Sequence, residues 1–277
     1  MSAAPTPLPS VALSPAAALR AVWRYRGLVR AITQRDLAGR HSGSLLGPLW
    51  LIVQPLVMIL IYTLVFSQVM QARLPGETLP YAYSIYLCAG LLPWLLFTEI
   101  VQRGKNVFIE HASLIKQAAF PRLVLFLPIV VVALFNFAVA ALCFSAFLWL
   151  AGAPLAGSFL WWPAVAVAAA LGTGLALVLA VFNVFFRDVG QTVDAALQIV
   201  FWATPVVYPA SILPDWARAM LAWNPFFGIA EFCQRAFLAP AELTWRGLAY
   251  PAAATLVAGL VAVLAYHRLY RELVDEL

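Results

Sequence analysis

The chain has 277 residues, of which 64% are hydrophobic and 10% charged, with a mean hydropathy of +0.90 and a net charge of +5. A soluble fold cannot hide that much apolar surface, so an ordinary soluble enzyme or binding domain is excluded and a polytopic membrane protein is expected. The basic residues are dispersed at the ends of apolar runs, which suits topology-setting charge and argues against nucleic acid as a partner.

Residues 1–15, MSAAPTPLPSVALSP, are rich in Pro, Ala and Ser. They lack a basic start followed by an apolar run, so a loose tail is expected and not a signal peptide. Over 16–40 the pattern becomes helical: Val22, Tyr25, Val29 and Ile32 recur at spacings of three and four, with Arg20, Arg24 and Arg35 on the other side. An amphipathic helix in the headgroup layer fits this best, although the same stripe could pack on protein. GSLLG at 43–47 loosens the backbone, and Pro48 suits a first helical turn.

The rest, 41–277, reads as an all-α transmembrane domain with six spans at about 48–70, 83–102, 123–149, 161–185, 192–208 and 248–267. Each is near the roughly 20 residues that cross about 30 Å of hydrocarbon. Between the second and third spans lies RGKNVFIEHASLIKQAAFPR at 103–122, too polar for hydrocarbon and therefore held on one membrane face. Its interior, 106–115, has room for about two and a half helical turns before Pro121 ends any helix. Such a segment is a natural handle for a partner that pushes on it.

Charge sets the orientation. Six of the seventeen Lys and Arg lie in the tail and first helix, four in 103–122, and three more are Arg187, Arg268 and Arg271, against Arg73, Arg218, Arg235 and Arg246 on the other side. That bias places both termini in the cytoplasm. In the fourth span Ala168 with Gly172, and Ala170 with Gly174, have the small-xxx-small spacing that lets a neighbouring helix approach closely. In 209–247, Pro209, Pro214, Pro225 and Pro240 divide apolar pieces too short to span, so 216–223 and 226–238 read as two short helices dipping into the outer leaflet.

No enzymatic apparatus is visible. Gly104-Lys105 is followed by Asn106 and lacks the upstream glycine of a phosphate-cradling loop, so this chain does not hydrolyse ATP. His41, His111 and His267 fall at cytoplasmic edges, and Cys88, Cys143 and Cys233 lie far apart, as apolar fillers would. Neither a metal site nor a catalytic constellation can be built from them. Glu99 has Arg103 four residues on, the spacing of a satisfied helical pair. Asp194, Gln198, Phe201, Pro205 and Tyr208 form a polar and aromatic stripe on the fifth span, suited either to a path or to a bundle seam. Trp50, Gln54, Tyr62 and Phe66 on the first span, Trp94 and Phe97 on the second, and Trp202 on the fifth add aromatic faces and an amide. Aromatic faces stack on sugar rings and let them slide, though an interfacial belt explains Trp50 and Trp94 equally well.

Several local patterns converge: RDLAGRHSGSLLGPLWLIVQP at 35–55 after Tyr25, SLIKQAAFPR at 113–122, FRDV at 186–189, TPVVY at 204–208, and Asn224-Pro225 with Arg235. Their order and spacing, over about 20–277, resemble the permease subunit of ABC-type polysaccharide exporters, a family that exports lipid-linked O-antigen, capsule or teichoic acid chains.

The resemblance implies a homodimer of six-span subunits in the bacterial cytoplasmic (inner) membrane. Two copies of a separate ABC ATPase subunit would bind ATP and Mg, while this chain binds no cofactor. It also implies an interface helix at 16–40, a coupling helix within 103–122 and re-entrant outer gate helices within 209–247. On that reading Asn106, Glu110, His111, Ser113, Leu114 and Lys116 couple to the ATPase, with Gln117 standing where the family often has a second basic residue. Gln54, Tyr62, Phe66, Trp94, Phe97, Gln198, Phe201 and Trp202 line the path of a glycan on a polyprenyl-type or other lipid carrier. Pro214, Trp216, Asn224, Pro225, Phe226 and Arg235 form the outer gate. A permease of the same fold exporting a lipid or drug is the nearest rival. A membrane glycosyltransferase would need an acid cluster and a large extramembrane domain.

Overall fold

The computed structural model describes residues 20, 23–39, 45–70, 74, 79, 81–117, 120–186 and 188–276, with backbone alone at 67, 68, 270, 271, 274 and 275. The expected tail at 1–15, the first residues of the amphipathic helix, His41, Gly43 and Arg187 lie outside the described residues.

Among the described residues the chain is helical, without strands. Helix α1 (Arg26–Gly39) lies against the bundle, with Leu28 and Ile32 packed on the core and Tyr25 6.4 Å from the ring of Phe120. Tyr25 and Ile32 of the expected apolar stripe therefore meet protein. Helix α2 (Trp50–Tyr62), prolonged by a π-helical stretch at Thr63–Val69, leaves Leu56, Val57, Leu60 and Ile61 exposed and buries only Ile59.

Helix α3 (Ala82–Gly104) is the axis of the fold. It is apolar all round until Glu99, and a helix with no polar face is stable only when other helices or lipid surround it. Here α6 (Phe126–Leu150), α8 (Trp162–Phe185) and α11 (Pro225–Leu238) surround it, and α12 (Ala249–Glu276) packs on the far side of α8. Between α3 and α6 the polar segment forms α4 (Val107–Glu110) and α5 (Ala112–Gln117). The one-turn α7 (Gly157–Leu160) leads into α8, which α9 (Asp188–Ala203) and α10 (Asp215–Leu221) follow before α11.

The small residues of α8 do what their spacing predicts. A Cβ added at Gly172 would stand 3.3 Å from the Phe97 side chain of α3, and one at Gly174 3.2 Å from the backbone nitrogen of Gly259 in α12. Both neighbours thus approach as closely as a missing side chain allows. Between α6, α7 and α11 the rings of Phe137, Phe144, Trp161 and Phe237 interlock, with centroids 5.0–5.8 Å apart.

Among the described residues five helical stretches are long and apolar enough to cross a membrane: Gly47–Phe66, Ala82–Gly104, Arg122–Leu150, Gly157–Phe185 and Trp245–Leu269. The chain is a multi-pass membrane protein. The span expected at 192–208 is the exception, because α9 begins earlier, at Asp188, and has 16 residues. It stops at Ala203, two residues before Pro205, which cannot donate a helical hydrogen bond and disfavours helix in the residue before it.

Candidate functional site

The polar segment is seated by its apolar side. Val107, Phe108 and Ile115 are buried, and the Phe108 ring lies 5.7 Å from Phe126 and 6.3 Å from Tyr266 of α12. His111 breaks the segment into two helices, with Nδ1 3.1 Å from the Val107 carbonyl. Glu110, Ser113, Lys116 and Gln117 are exposed, while Asn106, His111 and Leu114 are half-buried. The segment presents a largely polar outer face, on which Ile109 is also exposed, over a fixed apolar base.

Its root is a buried polar node. Lys105 is 4% exposed, and its Nζ donates to the Gly190 carbonyl at 2.6 Å and pairs with Asp194 Oδ2 at 2.7 Å. Asn183 of α8, also buried, donates from Nδ2 to the Lys105 carbonyl and to Asn106 Oδ1, each at 3.0 Å. An ammonium this deep is tolerable only with such partners. One node thus ties the end of α3 and the start of the polar segment to both α8 and α9. The sequence placed Asp194 on a stripe but offered no partner for it, because Lys105 is local to a different helix.

A second chain of charges runs beside it. The expected Glu99–Arg103 pair is present at 3.8 Å, and Arg103 also pairs with Asp36 of α1. Glu99 accepts from Asn136 Nδ2 at 2.9 and 3.1 Å, which extends the chain to α6.

The expected path residues divide into three groups. Gln54, Gln198 and Trp202 are exposed, the last at 60%. Tyr62 and Phe66 are half-buried, 6.3 Å apart, and Phe66 stacks on Tyr83 at 5.0 Å. Trp94 and Phe97 are buried within the chain, where they meet half-buried Phe201 and buried Phe226 at 4.9–5.6 Å. Phe201 is also 5.4 Å from Trp202, so the aromatic cluster reaches the surface through Trp202. Gln54 is not part of that cluster.

The turn after α9 is held from three sides. Tyr83 OH donates to the Val207 carbonyl at 2.7 Å, and Tyr86 OH lies 3.1 and 3.0 Å from the carbonyls of Pro205 and Tyr208. Gln234 Nε2 donates to the Pro205 carbonyl at 3.1 Å, an approach open only because Gly90 lacks a side chain: a Cβ there would be 2.8 Å from Nε2. Asn224 caps α11 by accepting from the Phe226 N–H at 2.9 Å, with Pro225 in the first turn, and donates to Thr204 Oγ1 at 2.7 Å. Pro214 precedes α10, Trp216 is exposed, and exposed Arg235 pairs with Glu231 at 2.7 Å. Tyr83, Tyr86 and Gln234 escaped the sequence reading. Two tyrosines three residues apart at the mouth of a span were the one available sign of a phenol-to-carbonyl contact.

Among the described residues no three His, Cys, Asp or Glu side chains gather about a possible metal position, and the three cysteines are buried and free.

The family model described as ABC-2 type transporter matches residues 27–237. The chain is 34% identical over 223 residues to the O-antigen export system permease protein RfbA of Myxococcus xanthus, covering 79% of this chain and 83% of that protein. To the Klebsiella pneumoniae protein of the same name it is 30% identical over 223 residues, with 80% and 79% covered. It is also 21% identical over 243 residues to the polysialic acid transport protein KpsM of Escherichia coli, with 86% and 92% covered.

Proposed function

This chain belongs to the ABC-2 type transporter family, and from that premise we propose that it is the permease subunit of an exporter moving a lipid-linked, O-antigen-like polysaccharide across the bacterial cytoplasmic membrane. Members of this family are membrane subunits without catalytic chemistry of their own; a separate ABC ATPase with Mg and ATP drives the movement, and two permease copies form the path. The relatives that carry O-antigen or polysialic acid in their names support a glycan cargo.

The observation that carries the path is the outward face of α2 and α9, where Gln54, Gln198 and Trp202 are exposed. A side-chain amide facing hydrocarbon costs about 1–3 kcal/mol unless it meets water or a partner. Two copies apposed on these faces would enclose the amides in a wet, aromatic-walled channel, with α9 as the sixth crossing and α10–α11 dipping back as its outer gate. Both termini and the polar segment lie on the cytoplasmic side in this reading, as the arginine bias supports.

Work enters at the exposed face of α4–α5. When the ATPase closes on ATP it pushes that face, and the Lys105–Asp194 and Asn183–Lys105 bonds carry the displacement into α9 and α8 as a rigid-body shift. In cells deleted for this chain, lipid-linked glycan should accumulate in the inner leaflet and return to the surface on re-expression. Glycan reaching the surface normally without it would sink the assignment. For orientation, Ser113→Cys in a cysteine-free background should resist an impermeant thiol reagent in intact cells, while Glu242→Cys should react.

A further inference from the structure

A groove of about 300 Å³ lies between α1 and α6, lined by Arg26, Val29, Arg30, Thr33, Gln34 and Val131. It is preformed, since α1 is fastened at both ends: Tyr25 rests on Phe120, and Asp36 pairs with Arg103. Arg26 and Arg30, one helical turn apart, are among its lining residues. Arg26 is held in place by donating to the Trp23 carbonyl at 3.1 Å and by stacking 4.9 Å from the exposed Trp23 ring. Arg30 makes no hydrogen bond or ion pair among the described residues, so its donors are available. The surface the groove presents is almost wholly apolar, and on α6 the exposed Phe135 follows Val131 by one turn.

We propose that this groove is a binding site for an anionic phospholipid, with the headgroup phosphate on Arg26 and Arg30 and an acyl chain along Val131 and Phe135. Paired guanidiniums suit a phosphate because each can offer two parallel N–H donors to its oxygens. The adjoining apolar track requires that the phosphate carry a hydrocarbon chain, which a free anion does not. The ammonium of a zwitterionic headgroup would face the same two cations and be repelled, so the site selects net negative charge. A lipid seated there fixes α1 against α6 beside the Asp36–Arg103–Glu99 chain. The inference rests on the chain spanning a bilayer and is independent of what is exported.

The test uses the full-length chain reconstituted in nanodiscs of phosphatidylcholine with phosphatidylglycerol, then released for native mass spectrometry of the lipids it retains. Phosphatidylglycerol should be retained over phosphatidylcholine. Arg26→Gln with Arg30→Gln should weaken its apparent affinity roughly tenfold, the order expected for losing charge-assisted contacts. Val131→Trp keeps both charges but fills the groove and should have a similar effect, so the proposal stays testable if the double variant folds poorly. Arg246→Gln, remote from the groove in sequence and three residues before α12, should leave retention unchanged. Equal retention of the two lipids, or unchanged phosphatidylglycerol retention in a folded groove variant, would overturn the proposal. So would displacement by inorganic phosphate, which would mark a bare anion site, or preference for a polyprenyl diphosphate, which would reassign the groove to a cargo carrier.

Discussion

Lys105 Nζ lies 2.7 Å from Asp194 Oδ2, so the residue that follows α3 is ionically bonded to the second turn of α9. The partners differ in exposure: Lys105 is buried, whereas Asp194 is half exposed. The pair is therefore asymmetric. Losing the carboxylate strands a buried cation, while losing the ammonium returns a carboxylate to solvent.

Asp194→Asn should destabilise the subunit by about 1–3 kcal/mol, nearer the lower figure because the Gly190 carbonyl still accepts from Lys105. Export should slow while the assembled complex continues to hydrolyse ATP. Lys105→Met combined with Asp194→Leu should recover stability without recovering export, since apolar replacement of a buried pair is often neutral in stability. Normal export by Asp194→Asn at normal protein level would remove the pair from the transmission route.

Glu110→Arg together with Lys116→Glu alters only exposed positions of the polar segment. Membrane insertion and melting temperature should stay within the small range typical of surface changes, about 0.5 kcal/mol. Stimulation of the partner ATPase and export should both fall. Full export by the double variant would free the segment from any coupling role.

Trp202→Ala and Gln54→Leu should leave folded protein near normal and slow the appearance of glycan at the surface, because both side chains point away from the core. Trp94→Ala should behave differently. It empties a buried site between Phe97, Phe201 and Phe226 and should cost about 3–5 kcal/mol, measured as lost melting temperature in detergent. Equal stability losses at positions 94 and 202 would assign Trp202 to packing.

Asn224→Ala removes both the cap of α11 and the tie to Thr204 and should cost about 1–2 kcal/mol. Gly90→Ala should push Gln234 off the Pro205 carbonyl and cost about 1–3 kcal/mol by overpacking. If Gly90→Ala melts like the parent, Gln234 is not what holds the turn.

What was legible in the sequence was local. Apolar run lengths located the five helices long and apolar enough to cross, Glu99 and Arg103 sat at pairing distance on one helix, the spacing of Gly172 and Gly174 announced close helix contacts, and Pro214 and Pro225 divided two short helices. Contacts between distant elements left no such trace. Lys105 with Asp194, Asp36 with Arg103, and Tyr86 with Pro205 each join segments that periodicity treats separately. Nor could the pattern of α3 separate inside from outside: in a helix apolar all round, Trp94 and Phe97 have no polar face opposite them, so their burial follows from what packs around them.

The brevity of α9 bears on how hard the membrane is to cross at that point. At 1.5 Å per residue its 16 residues rise about 24 Å, against a hydrocarbon thickness of about 30 Å. With α9 as the proposed sixth crossing, the bilayer would have to thin or admit water to cover the mismatch, at a modest cost for each ångström. For a hydrated cargo the consequence of that proposed crossing would be a narrower dielectric barrier beside α9 than anywhere along α3, α6 or α8. Lengthening α9 by one turn before Pro205 would restore the full thickness of that barrier.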